Sequence, residues 1–187
     1  NLGGSGWGTH HTYTLFTHKY SSIPDTTKRF FIYSFIPDHV IRAKCVHSWS
    51  LNDPYYEVAG DSLHLAGSAY KHSGYAMGHV ATRILSLNRI FTFISDIGNV
   101  ITTGLGSKNV NDEDYKRVAL MLENINTTIK SQGNRFIIVH WDDYKGPTPK
   151  DESFVSKEKM TVIFKQLQAH GAEIVNVTIQ ARAKSLA

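Results

Sequence analysis

Two spacings of apolar residues alternate along the chain. Arg29-Phe30-Phe31-Ile32-Tyr33-Ser34-Phe35-Ile36 is dense in aromatic and β-branched residues and stops at Pro37. It reads as a buried strand. Tyr55 to Ala59 is a shorter strand candidate. Tyr75 to Leu87 carries Met77, Val80, Ala81, Ile84 and Leu85 at helical spacing. Arg89 to Ile94 fits either a helix or a strand, and Gly98, Gly104 and Gly106 mark a loop. The second half is plainer. Asn111 with Asp112, Glu113 and Asp114 provides a cap and an acidic first turn. Val118, Leu120, Met121, Leu122, Ile125 and Ile129 form the apolar face, and Gly133 supplies the stop. Arg135 to Trp141 reads as a core strand, and 142–151, with Pro147 and Pro149, as a loop. Ser156 to His170 is a second amphipathic helix ended by Gly171, and Ala172 to Ile179 a further strand.

Helix and strand in alternation with short turns predict a parallel sheet covered by helices. The expected fold is a single α/β domain over 1–187, a three-layer α/β/α sandwich with a mainly parallel sheet. Chemistry in such sheets gathers at the carboxyl ends of the strands. That selects Gly3 to His11, Pro37 to Arg42 and Trp141 to Tyr144.

Composition narrows the function classes. Of 187 residues, 41% are hydrophobic and 19% charged, which is the balance of a globular domain rather than a disordered one. The net charge of +4 is spread out, with no run of five Lys or Arg, so no nucleic-acid partner is expected. No apolar run reaches the ~20 residues of a membrane span. Cys45 is the only cysteine, so neither a disulfide framework nor a CxxC zinc site can form. Without a partner of known distance, Cys45 reads as an inert thiol.

Three motifs invite chemistry. The start, Asn1-Leu2-Gly3-Gly4-Ser5-Gly6-Trp7-Gly8-Thr9-His10-His11, is glycine-rich. It lacks the Lys-Ser/Thr of a phosphate loop and the spacing of a dinucleotide fingerprint. A weaker possibility is a nucleotide held at a helix N-terminus by this turn. His10, His11 and His18 lie close in sequence, but no HExxH pattern or matching carboxylate accompanies them. They read as surface histidines, and neither metal nor cofactor is expected. Gly60-Asp61-Ser62-Leu63 looks like a nucleophile block, with His64 following. All three leading residues also favour turns.

Taken together, the glycine-rich start and the run Phe31 to Asp38 resemble the second and third blocks of SGNH (GDSL-type) hydrolases. Asn1 to Thr9 is similar to the family's Asn-x-Gly-x-x-Gly turn. Phe31-Ile32-Tyr33-Ser34-Phe35-Ile36-Pro37-Asp38 is similar to the strand that ends in Gly-x-Asn-Asp. The later helices and strands follow the family's order. The resemblance implies a flavodoxin-like sandwich and Ser/His chemistry on O-acyl esters such as O-acetyl groups. The substrate would be an acylated small molecule, lipid or carbohydrate. Gly6 would give a backbone oxyanion donor, and Asp38 and His39 would carry catalytic roles. Pro37 stands where the family has Asn, and His39 or Arg42 could replace that donor. The family's order puts the nucleophile block before Asn1 and Asp-x-x-His after Ala187, so parts of the domain are expected at both ends. The in-chain alternative is Ser62 with Asp61 or His64. A catalytically degenerate binding domain on the same fold is the rival reading.

Overall fold

Nine elements form among residues 7–20, 28–45, 50, 52–69, 110–141 and 155–177, which are the residues the computed structural model describes. In order they are α1 (Thr9–Lys19), β1 (Phe30–Phe35), α2 (Asp38–Ala43), β2 (Pro54–Ala59), β3 (Ser62–Ser68), α3 (Asp112–Ser131), β4 (Arg135–His140), α4 (Lys157–Ala169) and β5 (Glu173–Asn176). The helix expected at 75–87, the ambiguous run at 89–94, the glycine loop at 98–106 and the loop at 142–151 lie outside the described residues.

β1, β4 and β5 form a three-stranded parallel sheet in that order. Phe31 pairs with Phe136, Tyr33 with Ile138 and Phe35 with His140. Alternation along a strand then turns all six to one face. α1, α3 and α4 bury their apolar stripes on that face. Phe16 of α1 meets Phe31 edge-on, and Phe164 of α4 meets Phe35 edge-on. Val118, Leu122 and Ile129 of α3 are fully buried in the same cluster. The opposite face is open among the described residues, with Phe30 60% and Ile32 68% exposed. The protein is therefore α/β with a parallel sheet, and its described helices cover one face.

The helix boundaries follow from local chemistry. Asn111 Oδ1 accepts from the Asp114 amide (2.9 Å), and Asp114 Oδ2 accepts from the Asn111 amide (3.0 Å), a reciprocal cap. Ser156 Oγ accepts from the Lys159 amide at the start of α4. Both long helices stop before a glycine with positive φ, Gly133 (+71°) and Gly171 (+84°).

β2 and β3 make an antiparallel hairpin across the two-residue turn Gly60-Asp61. Positive φ at Gly60 alone is the sign pattern of a type II′ turn. The hairpin docks on α3 through Arg117, which is 2% exposed. Its Nε donates to the Tyr56 carbonyl (2.7 Å), and Nη1 to Asp114 Oδ1 (2.7 Å). Nη2 donates to Glu113 Oε1 (2.9 Å) and to the Tyr55 hydroxyl (3.2 Å). Removing this guanidinium leaves a buried carboxylate and a buried carbonyl without their donor. Arg117→Met is expected to lose about 3–5 kcal/mol in urea unfolding. Asn111→Ala, which removes only a cap, should lose about 1 kcal/mol.

Candidate active site

The carboxyl end of β1 runs through Ile36 and Pro37 directly into α2, whose first residues are Asp38 and His39. The glycine-rich segment enters from the other side. Gly8 is the extended N-cap of α1, at φ −108° and ψ −175°. A Cβ on Gly8 would lie 2.7 Å from Arg42 Cβ and 3.0 Å from the His10 ring. Glycine is required there by close approach of two segments, not by its φ.

Polar contacts join the same segments. Arg42 Nε donates to Asp38 Oδ2 (2.5 Å), and its Nη1 donates to the Trp7 carbonyl (3.3 Å). Asp38 thus orients the arginine that holds the start of α1. The Tyr33 hydroxyl lies 3.1 Å from Thr9 Oγ1 and 2.9 Å from His39 Nδ1. Tyr33 is the middle of a chain running from α1, through β1, to α2. Burial raises its phenol pKa. Burial, then the nearby Arg42, pushes the His39 pKa down to about 4. His39 is therefore a neutral imidazole at neutral pH.

A cleft of about 630 Å³ opens beside this chain. Trp7, Tyr33, His39, Phe16, Ile125 and Phe136 are among the residues that line it. Its lining is largely apolar with a few polar groups, as in small-ligand sites.

The structure brings Asp38 and His39 together with Trp7, Gly8 and Thr9. Gly6 lies outside the described residues. Gly8 and Thr9 fall in the stretch Gly3 to His11 that the sequence selects, while Tyr33 was missed by sequence reasoning. Tyr33 carried no signal beyond a core strand position.

Gly60-Asp61-Ser62 is the exposed tip of the β2–β3 hairpin. The Ser62 hydroxyl donates to the Ala59 carbonyl (2.8 Å). Its one proton being directed there, the 3.2 Å contact with His64 Nε2 is an imidazole N–H donating to Ser62. Asp61 pairs with Lys116 (2.9 Å) rather than with His64. No nucleophile–base relay is assembled at this tip.

The expectation of surface histidines holds at His18 and fails at His10, which is fully buried. It fails because Thr9 to Lys19 is a helix, not a loop, and its first turn lies under α2 and β2. Cys45 is buried, and its thiol pKa is raised to about 12, first by burial and then by Asp53.

No protein-family model, curated protein sequence or solved structure matches this chain. Among the described residues no helix is long and apolar enough to cross a membrane. The functional reading rests on the residues and their geometry.

Two outcomes follow from the packing and the protonation state. Gly8→Ala forces α1 and α2 apart and should lose about 1–3 kcal/mol, read by thermal or urea unfolding. The folded His39 pKa lies below its unfolded value, so the unfolded chain takes up the proton first as pH falls. Its contribution is complete above pH 6.5 and is lost between 6.5 and about 4. His39→Gln should flatten the pH dependence of stability in that window by up to about 1.4 kcal/mol per pH unit. His10, held down to about 3, continues the loss to lower pH in both proteins.

Proposed function

We propose that this protein is an SGNH-type serine esterase or acyltransferase acting on O-acyl esters, with its chemistry at the carboxyl end of β1. The observation that carries the reading is the meeting of the two resembling blocks. Arg42 reaches across 35 residues of sequence to the Trp7 carbonyl, and Thr9 is linked to His39 through Tyr33. The parallel order β1-β4-β5 supports a flavodoxin-like sheet, because strands added in chain order build one half of such a sheet. In this reading a further helical layer covers Phe30 and Ile32 and completes the sandwich.

The chemistry is acyl transfer. A serine oxygen attacks the ester carbonyl and gives its proton to a histidine. The tetrahedral oxyanion is stabilised by donors already in place. Gly6 supplies a backbone N–H. With the Tyr33 hydroxyl donating to Nδ1, neutral His39 carries its proton on Nε2 and offers a second N–H. That donor takes the place of the family's Asn, where this chain has Pro37. Collapse of the intermediate expels the alcohol, which recovers the proton from the histidine. Water or a second alcohol then takes the acyl group. The cleft of Phe16, Ile125 and Phe136 suits the apolar part of the substrate.

The test is the complete gene product with p-nitrophenyl acetate and a fluorophosphonate probe. Turnover and serine labelling are expected, and Ser62→Ala should change neither. His39→Ala should lower kcat by about 10²–10³ with KM little changed, the usual cost of one oxyanion donor. Absence of both turnover and labelling would overturn the enzymatic reading in favour of a binding domain on the same fold.

A further inference from the structure

Behind the Gly8 turn lies a second cluster that the proposed acyl chemistry does not use. One side-chain donor atom from each of His10, Cys45 and Asp53 lies within 4.8 Å of the other two. The three come from separate places in the fold. His10 is in the first turn of α1, Cys45 follows α2, and Asp53 directly precedes β2.

We propose that His10, Cys45 and Asp53 form a binding site for a divalent transition-metal ion, with zinc the best match. Thiolate, imidazole and carboxylate together are a zinc donor set. In a tetrahedral zinc site, metal–ligand bonds of ~2.0–2.3 Å put donors roughly 3.5 Å apart. The present separations close to that by about an ångström, within the reach of side-chain rotation.

Three further observations support the site. The carboxylate is already oriented. The Gly8 amide donates to His11 Nδ1 (3.4 Å), which leaves His11 Nε2 to donate to Asp53 Oδ1 (3.0 Å). This leaves Asp53 Oδ2 facing His10 Nε2 at 3.5 Å. A neighbour that fixes a ligand in this way is a recurring feature of metal centres. Next, His10 is fully buried, so the Nε2 that faces Asp53 is held out of water, where a ring nitrogen needs a partner. Lastly, among the described residues the Cys45 thiol makes long contacts, 3.9 Å each, to the Ala43 and Pro54 carbonyls. Cys45 also occupies a position where glycine is usual, after a helix end and with φ +55°. A cysteine there is explained by its sulfur.

His10 is already neutral, which is the ligating form. As the metal–sulfur bond forms, the Cys45 proton leaves to solvent. One thiolate and one carboxylate then balance a divalent cation in a buried place. The bound ion would tie the first turn of α1 to the end of α2 and the entry to β2.

The experiment is titration of the purified, metal-stripped protein with Zn²⁺ and with Co²⁺. One equivalent should bind, and Zn²⁺ should raise the melting temperature. Co²⁺ should give a near-ultraviolet sulfur-to-cobalt charge-transfer band and the intense visible bands of a four-coordinate ion. Cys45→Ser should remove the charge-transfer band, and Asp53→Asn should weaken binding by at least about 10-fold. Cys45→Gly suits the local backbone and guards against misfolding; it should fold and lose both the band and the melting shift. No binding by the wild-type protein, or a charge-transfer band that survives in Cys45→Ser, would overturn the proposal. Esterase activity is not the readout, so the outcome is independent of the acyl-transfer reading.

Discussion

The arrangement of this protein depends on the burial of one guanidinium. Arg117 sits almost wholly out of water, with Asp114 beside it and the Tyr55 ring 5.1 Å from its centre. Buried ion pairs add little net stability, because desolvation offsets most of the attraction. They do penalise any arrangement that separates the partners. Asp114 accepts from Arg117 on one oxygen and closes the α3 cap with the other, which also lies 3.4 Å from Lys44 Nζ. Arg117 in turn donates to the Tyr56 carbonyl, and moving it elsewhere would orphan a buried acceptor. The hairpin, the start of α3 and the end of α2 are therefore fixed together.

That fixed frame is what allows close contact at Gly8. Two segments can approach within the space of a missing Cβ only if neither can retreat. α2 is short, six residues, and its own helical hydrogen bonds could not hold it. It is held at its end by Lys44 with Asp114, and at its start by the chain from Thr9 through Tyr33 to His39. Arg42 joins it to the Trp7 carbonyl. Local structure at the site is thus a consequence of tertiary contacts rather than of helix propensity.

This explains what could be read from the sequence and what could not. α3 and α4 were legible because their stops, caps and apolar stripes are all local, from Asn111 to Gly133 and from Ser156 to Gly171. β1 and β4 were legible as dense apolar runs. α1 was not. Thr9, Thr12, Thr14 and Thr17 are poor helix formers, and Thr14 donates its hydroxyl back to the His10 carbonyl (2.8 Å). The helix exists because Phe16 and Tyr20 pack against Phe31, a contact no local rule contains. β3 was hidden for a related reason. Its residues Ser62 to Ser68 alternate only weakly, and the Gly60-Asp61 turn before them shares its letters with a nucleophile motif. At the candidate site Asp38 and His39 were legible from the strand end. Tyr33 and Cys45 were not, because their roles depend on residues 24 and 8 positions distant, Thr9 and Asp53.

The two clusters around α1 divide its first turn between opposite chemistries. Thr9 faces Tyr33 and the β1 end, where polar groups are neutral and linked by hydrogen bonds. His10 and His11 face Asp53, where a carboxylate meets imidazoles. Successive helical residues point about 100° apart, so a single turn can serve both sides. The Trp7 ring stacks on His11 at 5.4 Å, while the Trp7 carbonyl takes the Arg42 donor. Trp7 thus joins the Asp53 side to the Arg42 side. Burial keeps His39 and His10 uncharged despite carboxylates nearby. His10 and His39 thus present nitrogen lone pairs and N–H groups rather than cations, and that is the state in which an imidazole can coordinate an ion or donate to an oxyanion.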